Sequence, residues 1–157
     1  MDEEQDNHKI LKMLADNERA VSEIYRIYAD RYPKHRELWT EMAKEEIQHA
    51  RLIEELSKRD DLHISKTKER FTPKVFNISF QYLEEKTIQA QQETLSFKET
   101  LSIALDIETG MLERGYFNIF EGDSPEFQRT LGALDRSTQK HCNKIRTLLA
   151  RQNRSFF

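Results

Sequence analysis

Four stretches of this chain carry large apolar residues in alternating steps of three and four, and each stripe is interrupted near its middle by polar groups. Leu11, Leu14, Glu18, Val21, Tyr25 and Tyr28 form the first stripe; Trp39, Met42, Glu46, His49, Ile53 and Leu56 form the second. Phe97, Leu101, Ala104, Glu108, Met111 and Gly115 form the third, and Phe127, Leu131, Leu134, Thr138, His141, Ile145 and Leu148 the fourth. That spacing returns each residue to one face of an α-helix, so the stripes predict four amphipathic helices around one core. Composition leaves little room for anything else. Only 4 Gly and 3 Pro occur in 157 residues, too few for a loop-rich or all-β chain. Charged residues at 34 % against 37 % hydrophobic suit helices with wet outer faces, and the length suits one domain.

Breaks in the pattern set the order of elements. Pro33 cannot continue a helix and restricts Tyr32 before it. Glu121-Gly122-Asp123-Ser124-Pro125 breaks the last pair, with Gly122 suited to a C-terminal cap and Pro125 to a first helical turn. Ser96-x-x-Glu99 has capping-box spacing and predicts a helix starting near Phe97. The main helices are therefore expected over residues 5–31, 36–58, 97–121 and 125–151. Short connections make each successive pair an antiparallel hairpin. The segment 59–95 is a crossover, in which Ser79 to Leu95 could form a minor helix. The expected fold class is all-α: one domain over 1–157, built as a four-helix bundle with one long crossover between helices two and three.

The polar interruptions fall at one height. Glu18 lies about 15 residues before the first turn, and Glu46 and His49 lie about 12 and 15 after it, within roughly one helical turn of each other. About Asp123, Glu108 lies about 15 residues before, with Thr138 and His141 about 15 and 18 after. Three carboxylates and two imidazoles are thus expected to converge, with no Lys or Arg on any stripe to neutralise them. Each buried charge costs several kcal/mol and like charges repel, so either protons or divalent cations must compensate. Metal is the better account, and oxygen ligands with imidazole nitrogen suit iron, manganese or zinc.

The i, i+3 pair Glu46-x-x-His49 points both side chains off one helical face, although alone it is weak, as the loop-side match Asp60-x-x-His63 shows. An internal repeat strengthens it. Glu18-x4-Glu23-x-Tyr25 parallels Glu108-x4-Glu113 with Tyr116, and His49-Ala50-Arg51-Leu52-Ile53-x2-Leu56 parallels His141-Cys142-Asn143-Lys144-Ile145-x2-Leu148. The set Glu18, Glu46-x-x-His49, Glu108 and His141 resembles the rubrerythrin-type members of the ferritin-like superfamily. Residues 18–25 and 45–50 are similar to that family's first and second helices, and 101–108 and 131–149 to its third and fourth. The resemblance implies a pair of iron ions between the helices that reacts with peroxide or oxygen. It implies Glu18 and Glu108 as terminal ligands, Glu46 as a bridge, and His49 and His141 as one imidazole for each metal.

The chain departs from that family at Thr138, where the family has a second bridging Glu. A neutral hydroxyl is a poor ligand for a hard ion, and Asp135 points off the Thr138–His141 line, so the second site is expected to be the weaker. One cysteine cannot build the family's appended iron–sulfur module, so a peroxidase here would need a separate electron donor. Residues 152–157 are also too short for the fifth helix of an iron-storage subunit.

Three functions compete on this reading: a di-iron protein that reduces peroxide or oxygen, a mononuclear or zinc-binding member without turnover, and a helical interaction module whose polar layer only sets pairing. The expected partner is a second copy of the chain. A net charge of −3 and mixed-sign runs such as Lys66-Thr67-Lys68-Glu69-Arg70 exclude a nucleic-acid field. No membrane span is expected, and the acidic start Met1-Asp2-Glu3-Glu4 is unlike a signal peptide, which points to the cytoplasm. Tyr25 reads first as a packed core tyrosine, although it could hydrogen-bond a ligand. Glu23, Glu45 and Glu113 read as surface, Cys142 as a buried inert thiol, and His8, His35 and His63, near helix ends or in the crossover, show no partner pattern. Phe71, Phe76, Phe80 and Tyr82 of the crossover could pack on the bundle or on a second subunit.

Overall fold

A computed structural model describes residues 3–58, 63–64, 73–113, 120–121 and 125–154. Among them the chain is helical, with five α-helices: α1 (Glu3–Arg31), α2 (Arg36–Ser57), α3 (Pro73–Gln92), α4 (Phe97–Glu113) and α5 (Pro125–Arg154). A 3-10 turn at Pro33–His35 joins the first two, because Tyr32 sits at φ −122° and ψ 76°, outside the helical region, immediately before proline. α4 opens on the expected capping box. The Ser96 N–H donates to Glu99 Oε2 at 2.7 Å and the Glu99 N–H to Ser96 Oγ at 3.1 Å, satisfying two donors the helix leaves open.

The apolar stripes form the core. Leu11, Leu14, Val21, Tyr25, Tyr28, Trp39, Ile53, Leu101, Ala104 and Ile145 are fully enclosed, and Met42, Leu56, Met111, Leu131 and Leu134 nearly so. Each such Leu, Ile, Val or Met side chain contributes on the order of 2 kcal/mol by leaving water. Polar contacts set how the helices lie. α1 meets α2 through Ser22 Oγ–H to the Ala43 carbonyl (2.8 Å), and α2 meets α5 through Lys144 to Glu41 (3.2 Å). Tyr25 and Asn17 of α1 reach Glu108 and Met111 of α4 in reverse order, so those helices run antiparallel. At the end where the first hairpin turns, His35 stacks on Phe97 with ring centres 3.5 Å apart.

Two expectations are corrected. The minor helix placed at Ser79 to Leu95 is a full helix, α3, that begins at Pro73 and ends at Gln92. It buries Phe76, Leu83 and Ala90 and lies along α1. Ser79 Oγ–H donates to Asn17 Oδ1 (2.8 Å), and the Arg31 guanidinium reaches the Ala90 carbonyl and, at 2.6 Å, that of Glu93. Those cationic donors satisfy carbonyls at the α3 C-terminus. Phe76 thus packs within this chain, and Phe80 and Tyr82 lie partly buried against the same core. The third main helix, expected over 97–121, ends by Glu113 in the described residues, and Phe120–Glu121 pairs instead as a strand, β2, with β1 (His63–Ile64). The pairing is antiparallel and ties the connection after α2 to the connection before α5. Gly122 to Ser124, Phe71 and the linker charge runs from Arg59 to Asp61 and Lys66 to Arg70 lie outside the described residues. Gly115 and Tyr116 also lie outside them, and the side chains of Glu113 and Phe127 are not among those described.

Candidate metal centre

Every stripe delivers its polar interruption to one place. Glu18 from α1, Glu46 and His49 from α2, Glu108 from α4, and Thr138 and His141 from α5 are all buried, none more than 4 % exposed. Two groups form. In one, Glu18, Glu46 and His49 each bring a ligand-type atom within 4.8 Å of the others; in the second, Glu46, Glu108 and His141 do the same. The five residues picked out from spacing are therefore brought together.

Glu46 is the shared member, and its two oxygens face opposite ways. Oε2 lies 3.1 Å from His49 Nδ1, while Oε1 lies 3.0 Å from His141 Nδ1. His141 Nδ1 is also 3.4 Å from Glu108 Oε1. Close as they are, His141 Nδ1 and Glu46 Oε1 have no hydrogen-bond alignment, and neither finds another partner. Both oxygens of Glu18 and Oε2 of Glu108 are equally without partners. Orphaned buried acceptors of this kind cost about 1–3 kcal/mol each, and more when charged. A divalent cation would take up such lone pairs together, so the donor set fits a metal of the kind that accepts carboxylate and imidazole.

Without a cation, protons must balance the charges, and burial and neighbours divide the carboxylates. Burial, with Glu46 and Glu108 alongside, raises Glu18 well above the ordinary carboxylate range. Burial and the Glu46 charge push Glu108 up to about 8, against contributions from His141 and Tyr25 that lower it. Burial also works to raise Glu46, but the nearby His141 and His49 imidazoles and the Glu18 carboxyl outweigh it and hold that carboxyl well below its usual value. His141 is opposed by burial yet raised to about 11 by Glu108 and Glu46. The site thus sets Glu46 against His141, 3.0 Å apart, between two carboxyls whose pKa values burial and neighbouring charge raise.

The outer nitrogens of both imidazoles are engaged. His49 Nε2 meets Ser137 Oγ at 2.8 Å, and His141 Nε2 meets Glu45 Oε2. With those nitrogens turned outward, each Nδ1 faces the carboxylates, the arrangement by which a second contact orients a metal-ligating histidine. Glu45, expected on the surface, is a correction: its side chain is 37 % exposed, but its carboxylate closes on His141. Helical angle points its Cβ away from Glu46, and the length of the side chain brings the carboxylate back. Ser137 carried no sequence signal.

Tyr25 was expected to be a packed core residue, and it is more than that. Its ring packs on Trp39 (5.5 Å between centres), which in turn packs on Tyr28 (5.0 Å), while its hydroxyl donates to Glu108 Oε1 at 2.8 Å. Burial and the Glu108 and Glu46 charges raise this phenol well above its ordinary value, so it stays a donor. Tyr25→Phe is expected to cost the metal-free protein about 1–3 kcal/mol, because a buried oxygen loses its partner. Urea unfolding measures this, and a loss under about 0.5 kcal/mol would mean that the bond contributes little.

Thr138 is enclosed and turns its hydroxyl to its own helix, donating to the Leu134 carbonyl at 3.1 Å. Asp135 bonds Gln139 and takes no part in either group. Glu23 pairs with Arg26 at the surface, as expected. Cys142 is buried, and burial raises its thiol, as an inert core residue requires. The chain matches no family model, no curated protein and no solved structure. No described helix is long and apolar enough to cross a membrane.

Proposed function

We propose that this chain is a ferritin-like four-helix bundle carrying a two-metal carboxylate centre of the rubrerythrin kind, with iron as the metal and peroxide or oxygen as the oxidant it reduces. One observation carries the reading. Five buried ligand-type atoms on Glu18, Glu46, Glu108 and His141 have no hydrogen-bond partner and sit in two groups sharing Glu46. A chance polar layer would pair its atoms with one another, since a half-satisfied buried network is costly. Glu18, Glu46 and His49 would hold one ion, and Glu46, Glu108 and His141 the other. Iron bound there would supply one-electron redox chemistry.

The protein's own groups then have definite tasks. Glu46 would present one oxygen to each site and so hold the two at a set separation. His49 and His141 would present Nδ1, with Ser137 and Glu45 keeping the rings turned that way. Tyr25 would hold Glu108 in place and keep a proton beside it. The apolar shell of Leu14, Val21, Ala104, Met111 and Leu134 would exclude water. With one cysteine in the chain, electrons would come from a separate donor, and a second copy of the chain remains the expected partner.

A second reading rests on Thr138. Its hydroxyl is committed to the Leu134 carbonyl and adds no charge, so a single ion, zinc included, could fill the first group alone. Elemental analysis after anaerobic ferrous loading separates the two. Close to two irons per chain supports the two-metal centre; one supports the mononuclear reading; none overturns both. Stopped-flow mixing of the ferrous protein with hydrogen peroxide tests the activity. Oxidation at least about tenfold faster than that of free ferrous ion is the expected result, roughly 1.4 kcal/mol off the barrier. A rate equal to the free ion sinks the redox proposal.

A further inference from the structure

We propose that Glu45 keeps the second metal group functional by supplying, through His141, the negative charge that Thr138 does not. The inference rests on the two-metal reading above and concerns a residue outside both ligand groups. Three observations lead to it.

The two imidazoles are alike toward the centre and unlike away from it. His49 turns Nδ1 to Glu46 and Nε2 to a neutral partner, the Ser137 hydroxyl (2.8 Å). His141 turns Nδ1 to Glu46 (3.0 Å) and Glu108 (3.4 Å), and Nε2 to a carboxylate, that of Glu45. Each group holds two carboxylates and one imidazole, and the charged outer partner belongs to the imidazole of α5, the helix on which Thr138, one turn before His141, brings no acid and directs its hydroxyl to Leu134.

Charge counting shows why this matters. Glu18, Glu46 and Glu108 bring three negative charges, whereas two divalent ions bring four positive ones. An uncompensated charge in a buried site is expensive. Glu45 makes a fourth carboxylate and brings the centre to neutrality. Its position is suited to that task. The side chain is 37 % exposed while His141 is 4 % exposed, so the carboxylate stays partly solvated at the rim and acts through an imidazole that reaches the interior. Accepting the Nε2 proton also fixes the tautomer that leaves the Nδ1 lone pair facing inward, and it makes the ring a stronger donor. Glu45 is a positioning residue: it touches His141, not the place a metal would take.

Titration of the metal-free protein with cobaltous ion, followed by visible absorbance and metal analysis, tests the proposal. Wild type is expected to take two ions. Glu45→Gln should bind the first as wild type does and the second roughly 10–100-fold more weakly, the usual loss when an outer partner of a ligating histidine is removed. Ser137→Ala should weaken only the first, and by less, since it removes no charge. In Glu45→Gln/Thr138→Glu, a carboxylate restored inside the site should return the second ion to within a few-fold of wild type. A merely structural role for Glu45 would not produce that rescue. If circular dichroism shows the double variant unfolded, the contrast between Glu45→Gln and Ser137→Ala decides. Two ions at unchanged affinity in Glu45→Gln, or a folded double variant without rescue, overturns the proposal alone. A wild type that takes only one ion also overturns it, and a wild type that takes none overturns the two-metal reading with it.

Discussion

Glu46→Gln is expected to abolish both metal equivalents, while Glu18→Gln removes one. The asymmetry follows from geometry: Glu46 belongs to both ligand groups and gives a different oxygen to each imidazole, whereas Glu18 belongs to one. An amide offers no charge to either site, and its one neutral oxygen cannot replace a carboxylate shared between two. Loss of an outer partner alone costs about 10–100-fold in metal affinity, so losing a shared ligand should cost about 100-fold or more at each site. Titration with ferrous ion under anaerobic conditions reads both effects. If Glu46→Gln keeps one tight equivalent, Glu46 is not a bridge; if Glu18→Gln loses both, the groups are not separable. Circular dichroism of the metal-free variants checks that the helices remain, since Glu46 also balances His141.

The centre was legible in the sequence because burial writes a period and a buried acid violates it. Glu18, Glu46 and Glu108 stand out in stripes of Leu, Met, Trp and Ala for the reason that makes them useful: nothing on those stripes would neutralise them. The turn at Tyr32–Pro33 and the cap at Ser96–Glu99 were legible because each rests on a local steric or hydrogen-bonding rule. Other features depend on partners no local rule names. α3 buries Phe76, Leu83 and Ala90, one residue every two turns, because it leans chiefly on α1; so thin a stripe falls below the three-and-four pattern. Phe120–Glu121 leaves the helical pattern for a strand partner, His63–Ile64, far away in sequence. Glu45 was misjudged because periodicity reports where a Cβ points, while three side-chain torsions and the ring of His141 decide where the carboxylate ends. Tyr25 fits the core pattern equally well with or without its bond to Glu108.

Raising the pH is expected to destabilise the metal-free protein and to widen its distance from the loaded one. Glu108 carries a folded pKa of about 8 against an ordinary 4.5, so its contribution is whole below 4.5 and is lost as the pH rises through 8. His141, at about 11 against 6.5, contributes fully below 6.5 and loses ground from there upward. Glu18 is raised as well and acts in the same direction. Glu46 is lowered, so its contribution is already complete above 4.5 and adds no slope near neutrality. The folded state therefore holds more protons than the unfolded chain between pH 6 and 9, and stability must fall across that range. Each pKa unit is worth about 1.4 kcal/mol, and a chain of this size shifts by roughly 2–4 °C per kcal/mol, so a fall in Tm of roughly 5 °C or more is expected. A cation displaces the same protons, hence binds more tightly as they leave. At a hundredfold excess over Kd, one site adds about 2.7 kcal/mol, and two should raise Tm by roughly 10–20 °C. Calorimetry at pH 6, 7.5 and 9, with and without ferrous ion, measures both effects. A metal-free Tm that climbs from pH 6 to 9 would mean that Glu18 and Glu108 are already ionised at pH 6. The orphaned oxygens would then have to be solvated, and the buried centre would not exist as described.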